Sequence, residues 1–195
     1  MRAKPCSRLP LFVDLRHKRV LVVGGGKVAA SKLPSLLATG AQVTLVAPQV
    51  IPAAKADGVS IRRRCFRDAD LDGVWFVIAA ATPATNARVA RAAKRRRVFV
   101  NAVDDPVNAS AYFAATVKRG DFVLALSTTG TAPAMARLMR EALEALLPED
   151  IDEWLALAKG ERERWLRDKI PMSDRLPLLV AAILARHGLP PVAQP

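Results

Sequence analysis

The chain has 195 residues, with 30 Lys and Arg against 18 Asp and Glu, a formal net charge of +12 and a hydrophobic content of 51%. That length suits one domain with an appendage or two small ones, and the apolar content supports a packed core, which excludes a wholly disordered basic tail. No apolar run approaches the ~18 residues of a membrane span and no secretory-type apolar segment follows the basic start, so a soluble, cytoplasmic protein with no membrane partner is expected.

In chain order, Arg19-Val20-Leu21-Val22-Val23 is a β-branched run that stops at Gly24-Gly25-Gly26 and reads as a first strand. A helical stretch, residues 27–39, closes at Gly40, which tolerates positive φ. Pro34 inside it removes one backbone donor and is expected to bend it. Residues 43–46 form a second strand and 59–62 a weaker third. Residues 74–78 form a fourth, apolar throughout as for a strand buried on both faces. Thr82-Pro83 joins an N-cap to proline at N1, and the helix 84–95 should carry Ala87, Val89, Ala90 and Ala93 inward with its arginines outward. Residues 98–100 return to the sheet. Strand and helix thus alternate over about 100 residues, which argues for a parallel sheet covered by helices on both faces.

Beyond Asn101 the pattern changes. Residues 111–117, the turn Lys118-Arg119-Gly120-Asp121 and residues 122–126 read as a hairpin. Thr131-Ala132-Pro133 opens an amphipathic helix in which Met135, Leu138, Met139, Ala142, Leu143, Leu146 and Leu147 recur at helical spacing until Pro148. Residues 151–170 are helical again, with a stripe of Trp154, Leu155, Ala158, Trp165 and Leu166. A short helix over 178–187 and a loose Pro-rich tail, 188–195, complete the chain. The fold class is therefore α/β: a Rossmann-like parallel sheet over residues 1–113, a small hairpin-plus-helix region over 114–148, and a helical C-terminal part over 149–195.

The hexapeptide Gly24-Gly25-Gly26-Lys27-Val28-Ala29 fits G-x-G-x-x-A between a first strand and a helix, the context in which that spacing binds a dinucleotide. Gly24 allows the tight turn, Gly26 leaves room for a pyrophosphate, and Ala29 lets helix and strand pack closely. The first amides of the helix then face the phosphates. Lys27 either adds charge there or is simply solvated. The acidic residue that normally ends the second strand and takes the ribose hydroxyls is missing, its place held by Ala47-Pro48-Gln49. Backbone groups or Gln49 must hold the ribose, and the choice between NAD and NADP stays open.

The clusters Arg62-Arg63-Arg64 and Lys94-Arg95-Arg96-Arg97 read either as solvated faces or as partners of a small polyanion. With aromatics at 5% and no helix-turn-helix, zinc-finger or RNP-like signature, nucleic acid is not an expected partner. His17 and His187 stand far apart, and Cys6 and Cys65 have no CxxC spacing, so no protein-held metal or disulfide framework is expected. Both cysteines read as incidental, and Trp75, Trp154 and Trp165 suit core or subunit packing better than ligand stacking.

The segments Leu9-Pro10-Leu11-Phe12-Val13-Asp14-Leu15, Val20 through Ala29, Gly40-Ala41, Val46-Ala47-Pro48, Asn101-Ala102-Val103-Asp104-Asp105-Pro106 and Ser127-Thr128-Thr129-Gly130-Thr131-Ala132-Pro133 match one pattern in order. Together they resemble the precorrin-2 dehydrogenase / sirohydrochlorin ferrochelatase family, the N-terminal module of siroheme synthase. The resemblance covers residues 9 to about 150 well and the remainder loosely. It implies NAD-dependent oxidation of precorrin-2 to sirohydrochlorin, commonly followed by insertion of ferrous iron as a substrate. It also implies a homodimer in which the hairpin and C-terminal helices pair. The methyltransferase domain of longer members has no room here, so uroporphyrinogen methylation is expected on another chain.

The substrate implied is a tetrapyrrole rich in acetate and propionate groups, which a basic cleft between the sheet and the dimer helices would attract. Arg137 and Arg140 are the preferred carboxylate partners, because a guanidinium fork suits a carboxylate, with Thr128 in the nearby loop. The alternative for both arginines is the exposed face of an amphipathic helix. Asp104, just past the fifth strand, matches the family's general base for both reactions; by residue type alone, Asp104 with Asp105-Pro106 equally forms a turn. Iron would be gripped by the tetrapyrrole nitrogens. Three departures, Thr128-Thr129 in place of a common Ser and Gly, Thr82-Pro83 in place of an acidic pair, and Pro34, leave either one or both activities open. Two rivals belong to other classes: a non-catalytic dinucleotide sensor, with NAD affinity but no turnover, and a basic nucleic-acid binder, with steep salt dependence and indifference to nucleotides.

Overall fold

The computed structural model describes residues 8–188; Cys6 and residues 189–195 of the expected tail lie outside them. The chain divides into two compact units, Met1–Phe113 and Ala114–Pro195, and the hairpin and all three later helices fall in the second.

The first unit is a five-stranded parallel sheet made of β1 (Arg19–Val23), β2 (Gln42–Val46), β3 (Val59–Arg62), β4 (Phe76–Ala79) and β5 (Phe99–Ala102), in the order β3-β2-β1-β4-β5. Alternation explains the two-faced core. Val20 and Val22 of β1, Leu45 of β2 and Ile78 of β4 turn to one face, where α1 (Lys27–Leu37) lays down Ala29, Leu33 and Leu36. Leu21, Val23, Val77, Ala79 and Val100 turn to the other, under Val89, Ala90, Ala92 and Ala93 of α2 (Pro83–Arg96). Parallel strands need helical crossovers, and the crossovers bury both faces, which is why β1 and β4 read as unbroken apolar runs.

The expected α/β architecture forms, with shifted edges. β4 begins two residues late, at Phe76, because Trp75 is 53% exposed with the Lys18 ammonium over its ring at 4.2 Å. α1 ends at Leu37 and runs on through Pro34, Ala38 N–H bonding the Pro34 carbonyl. On α2 the inward face also holds Asn86 and Ala92, while Ala87 is half-buried. Thr82 caps that helix as expected, accepting from Thr85 N–H. Its other end closes on Arg97 at φ 57°, where the Val98 N–H reaches back to the Ala93 carbonyl at 3.0 Å, a left-handed cap more often made with glycine.

The second unit opens with the antiparallel hairpin β6 (Ala115–Arg119) and β7 (Phe122–Leu126), so residues 111–114, expected in its first strand, lie outside it. Ala111 is held instead to β5: its N–H donates to the Val100 carbonyl at 2.9 Å and Asn101 Nδ2 donates to its carbonyl at 3.0 Å. Three helices follow: α3 (Pro133–Leu146), α4 (Ile151–Arg167) and α5 (Met172–Arg186). The last starts six residues earlier than the periodicity indicates and contains Pro177 in its second turn. α3 packs on the hairpin and α4 on α5. Trp165 is buried and Trp154 half-buried. No residue of α3 is buried: Met135, Leu138 and Met139, its apolar stripe, are exposed, Leu138 at 58%.

Candidate functional site

In an open parallel sheet the ligand crevice forms beyond the carboxyl ends of the strands, where the winding reverses. Here the reversal lies between β1 and β4, since the chain builds β2 and β3 on one side and β4 and β5 on the other. The glycine loop leaves β1 at that point. A larger concavity of about 740 Å³, lined in part by Leu11, Phe12, Trp75 and Phe99, sits at the amino ends of the strands instead. Strand ends there present no helix N-terminus, so the carboxyl edge, where the glycine loop opens α1, is the better candidate.

Each of the three glycines does a different thing. Gly24 is buried at φ +122°, and a Cβ on it would stand 2.6 Å from the carbonyl carbon of Ala80, at the end of β4. Gly25 lets the loop after β2 lie on the glycine turn: a Cβ there would meet Val50 Cα at 2.9 Å, and the Ile51 N–H bonds the Gly25 carbonyl at 3.0 Å. Gly26 is the N-cap of α1 at φ −89°, ψ −172°, exposed, with open space where a Cβ would be. No side chain caps α1 and its first turn holds no acid. The amides of Gly25, Gly26, Lys27, Val28 and Ala29 bond to nothing among the described residues, the helical ladder starting with Ala30 N–H to the Gly26 carbonyl. Free amides, a positive helix end and an unfilled approach over Gly26 fit a diphosphate. Ala29 is fully buried against the sheet, while Lys27 and Val28 are exposed.

Across the reversal, the Ala80–Thr82 bend is fixed by a residue that periodicity alone does not single out. Asn86, buried on the inner face of α2, accepts the Ala81 N–H at 2.9 Å. A lone amide on an otherwise alanine- and valine-lined helical face is the signal that could have found it.

One strand further, the neighbouring acids Asp104 and Asp105 separate into two roles. Asp105 accepts from Asn108 N–H at 3.2 Å and from Asn108 Nδ2 at 2.6 Å, so it shapes the turn. Asp104 is the exposed apex of the preceding turn, closed by the Asp105 N–H on the Ala102 carbonyl at 3.3 Å; it takes φ 55°, and its carboxylate has no hydrogen bond or ion pair among the described residues. The Val103 N–H still bonds the Ala79 carbonyl at 3.0 Å, so the apex stands at the carboxyl edge of the sheet. Two strand spacings, roughly 10 Å, separate it from the end of β1.

On the other flank Pro48 and Gln49 are exposed beside the glycine loop, and Ala47 N–H bonds the Arg62 carbonyl at 3.2 Å. The arginine clusters are largely engaged within this unit. Arg62 and Arg64 hold Asp70 at 3.4 and 2.5 Å, Arg88 and Arg95 hold Asp68, and Arg96 holds Asp72. The Arg64 guanidinium, then the Arg67 N–H, keeps the Asp70 carboxyl below the ordinary carboxylate range.

In the second unit Thr128 is committed to its own loop. Its hydroxyl donates to the Ala132 carbonyl at 3.0 Å, and its carbonyl accepts from Thr131 Oγ1 at 2.6 Å. Thr129 takes φ 54°, a conformation costly for a β-branched residue. Arg137 bonds Glu141 at 2.8 Å, and Arg140 bonds Glu144 at 2.5 Å and Glu141 at 3.2 Å. Both arginines therefore carry carboxylate partners already, Arg137 exposed and Arg140 half-buried. Among the described residues no three His, Cys, Asp or Glu side chains gather to hold a metal, and no helix is long and apolar enough to cross a membrane.

A family model described as putative NAD(P)-binding matches residues 11–115. A siroheme synthase of Sodalis glossinidius (strain morsitans) is 44% identical over 161 residues, covering 80% of this chain and 34% of its own length. Siroheme synthase 1 of Aeromonas hydrophila subsp. hydrophila is 42% identical over 161 residues, covering 80% and 35%. The chain thus spans about a third of the length of these curated relatives. A solved structure named "SirC, precorrin-2 dehydrogenase" superposes with a TM-score of 0.69 at 26% identity, over 88% of this chain and 87% of that one.

Proposed function

The chain belongs to the putative NAD(P)-binding family and is homologous to siroheme synthases, and from that premise we propose that it is an NAD-dependent enzyme oxidising precorrin-2 to sirohydrochlorin, and that it also inserts ferrous iron to give siroheme. One observation carries the reading: an unpartnered acid, Asp104, raised on a left-handed apex at the same sheet edge as the uncapped glycine loop. Aspartate is tolerated at a left-handed turn apex, but the turn needs no bond from the Asp104 carboxylate, which leaves that carboxylate free, and such positions gather at active sites.

The residues divide the task. Gly24, whose own N–H bonds the Val46 carbonyl, makes the tight turn; Gly25, Gly26, Lys27, Val28 and Ala29 hold the diphosphate on free amides, and Pro48 with Gln49 borders the adenosine end. Bound there, the dinucleotide supplies a hydride acceptor. Asp104 takes the proton that leaves the macrocycle with that hydride, a general-base role worth about 10²–10⁴-fold in rate. The same carboxylate takes the pyrrole N–H protons that must depart before ferrous iron, the second substrate, can enter the ring. Thr128, Arg137 and Arg140 engage the substrate carboxylates; for the arginines this means exchanging Glu141 and Glu144 for acetate or propionate, at little cost because exposed ion pairs contribute little.

The enzyme acts as a cytoplasmic homodimer. The support is the apolar stripe of α3, Met135, Leu138 and Met139, which no residue of its own unit covers and which a second copy would bury.

The test is anaerobic incubation with precorrin-2 and NAD, followed by ferrous iron. The expected spectra are those of sirohydrochlorin after the first addition and siroheme after the second. NAD binding without any oxidation would instead favour a dinucleotide sensor, and oxidation without metal insertion a dehydrogenase alone.

A further inference from the structure

We infer that Arg63 lets this crevice accept a nucleotide bearing a 2′-phosphate, so that NADP binds as well as NAD. The inference rests on the dinucleotide reading of the glycine loop and concerns its adenosine end. In open parallel sheets the ribose lies beyond the second strand, where an acid both binds the 2′-hydroxyl and repels a 2′-phosphate. That place holds Ala47-Pro48-Gln49, with no acid.

The neighbouring edge, at the end of β3, is basic and tied to it. Val46 pairs with Arg62, and the Ala47 N–H bonds the Arg62 carbonyl at 3.2 Å. The Arg64 N–H also reaches the Arg62 carbonyl, at 3.0 Å, which makes Arg63 the apex of a tight turn beside residues 47–49. Arg62 and Arg64 both spend their charge on Asp70, whose side chain is only 4% exposed. Arg63 is exposed and has no ion pair or side-chain hydrogen bond among the described residues. The Asp70 clamp thus holds the turn in place while leaving its central guanidinium free. A guanidinium fork matches a phosphate in charge and geometry, and no carboxylate among the described residues occupies it.

Calorimetric titration of the full chain with NAD and with NADP, at low and high salt, tests this without reading activity. NADP is expected to bind within about tenfold of NAD. Arg63→Ala is expected to weaken NADP by about tenfold or more while changing NAD by less than threefold, and Arg63→Lys to recover part of the loss. Because Arg63 has no partner in the fold, these variants keep the wild-type circular dichroism and melting temperature. NADP more than tenfold weaker than NAD in the wild type, or Arg63→Ala affecting both nucleotides alike or neither, overturns the inference and leaves the NAD site standing. Failure of NAD itself to bind removes the dinucleotide reading and the inference with it.

Discussion

Exchanging Gly24 and Gly26 separately for alanine should part folding from cofactor binding, because the two residues meet opposite surroundings. In Gly24→Ala the new methyl falls 2.6 Å from the Ala80 carbonyl carbon, at a φ of +122° that side chains rarely adopt. Shifting the β4 bend costs about 1–3 kcal/mol as overpacking, and the backbone conformation about 1–3 kcal/mol more. Against a total stability of roughly 5–15 kcal/mol, that is a large share, and at about 2–4 °C per kcal/mol for a chain of this size the melting temperature should fall by roughly 5–20 °C. In Gly26→Ala nothing lies within 4 Å of the methyl, and φ −89° suits alanine. The unfolded-state gain of about 0.4–1 kcal/mol offsets the slightly poorer cap, so melting should move by no more than about 2 °C. The methyl then occupies the approach to the free amides of α1, and losing even one charge-assisted bond to phosphate should raise the Kd for NAD at least about tenfold. Thermal melts and calorimetric titration on both variants provide the readout. Gly26→Ala binding NAD like the wild type would show that the phosphates lie elsewhere, and an unshifted melt for Gly24→Ala would show that the contact with Ala80 is not tight.

Asp104→Asn should keep NAD affinity and lose about 10²–10⁴-fold in precorrin-2 oxidation, whereas Asp105→Asn should leave chemistry largely intact and mainly loosen the turn closed by Asn108; the reverse pattern would transfer the base to Asp105. Asn86→Ala strips the Ala81 N–H of its acceptor and should cost about 1–3 kcal/mol in urea denaturation, with a weaker grip on NAD as the β4 bend relaxes; an unchanged midpoint would mean that water replaces the amide. The Asp70 carboxyl is held below its unfolded value of about 3.9 by Arg64. Its stabilisation is therefore complete above about pH 4 and lost as the pH falls through the lower folded value. Stability measured from pH 6 to pH 2.5 should fall more gently in Asp70→Asn than in the wild type, and parallel curves would refute the clamp. Thr129→Gly removes a β-branched residue from φ 54° and should raise the melting temperature by a few degrees, about 1 kcal/mol; a lower melting temperature would show that the Thr129 hydroxyl bond to the Thr128 carbonyl outweighs the strain.

What the amino-acid order determines by itself is whatever depends on neighbours along the chain. Gly24 through Ala29 between a β-branched run and a helix announces both the turn and its anion-binding end, because three glycines, a short strand and a helix start are local chemistry. The parallel sheet follows from apolar runs spaced by helical crossovers. Edges are less legible: Trp75 belongs to the apolar run and its N–H still bonds the Arg19 carbonyl at 2.9 Å, yet its side chain is exposed at the rim and the paired residues of β1 and β4 start only at Phe76. Ala111 reads as part of the hairpin strand, but β5 claims its N–H and carbonyl. Telling Asp104 from Asp105 takes the folded backbone, because their roles depend on which carboxylate Asn108 meets in the turn that follows β5, and both acids lie within a few residues of it in the chain. Likewise Arg62, Arg63 and Arg64 are one charge run on paper. Folding brings Asp70 against the first and third and leaves the second without a partner, and that assignment is made by through-space distance, which no local pattern encodes.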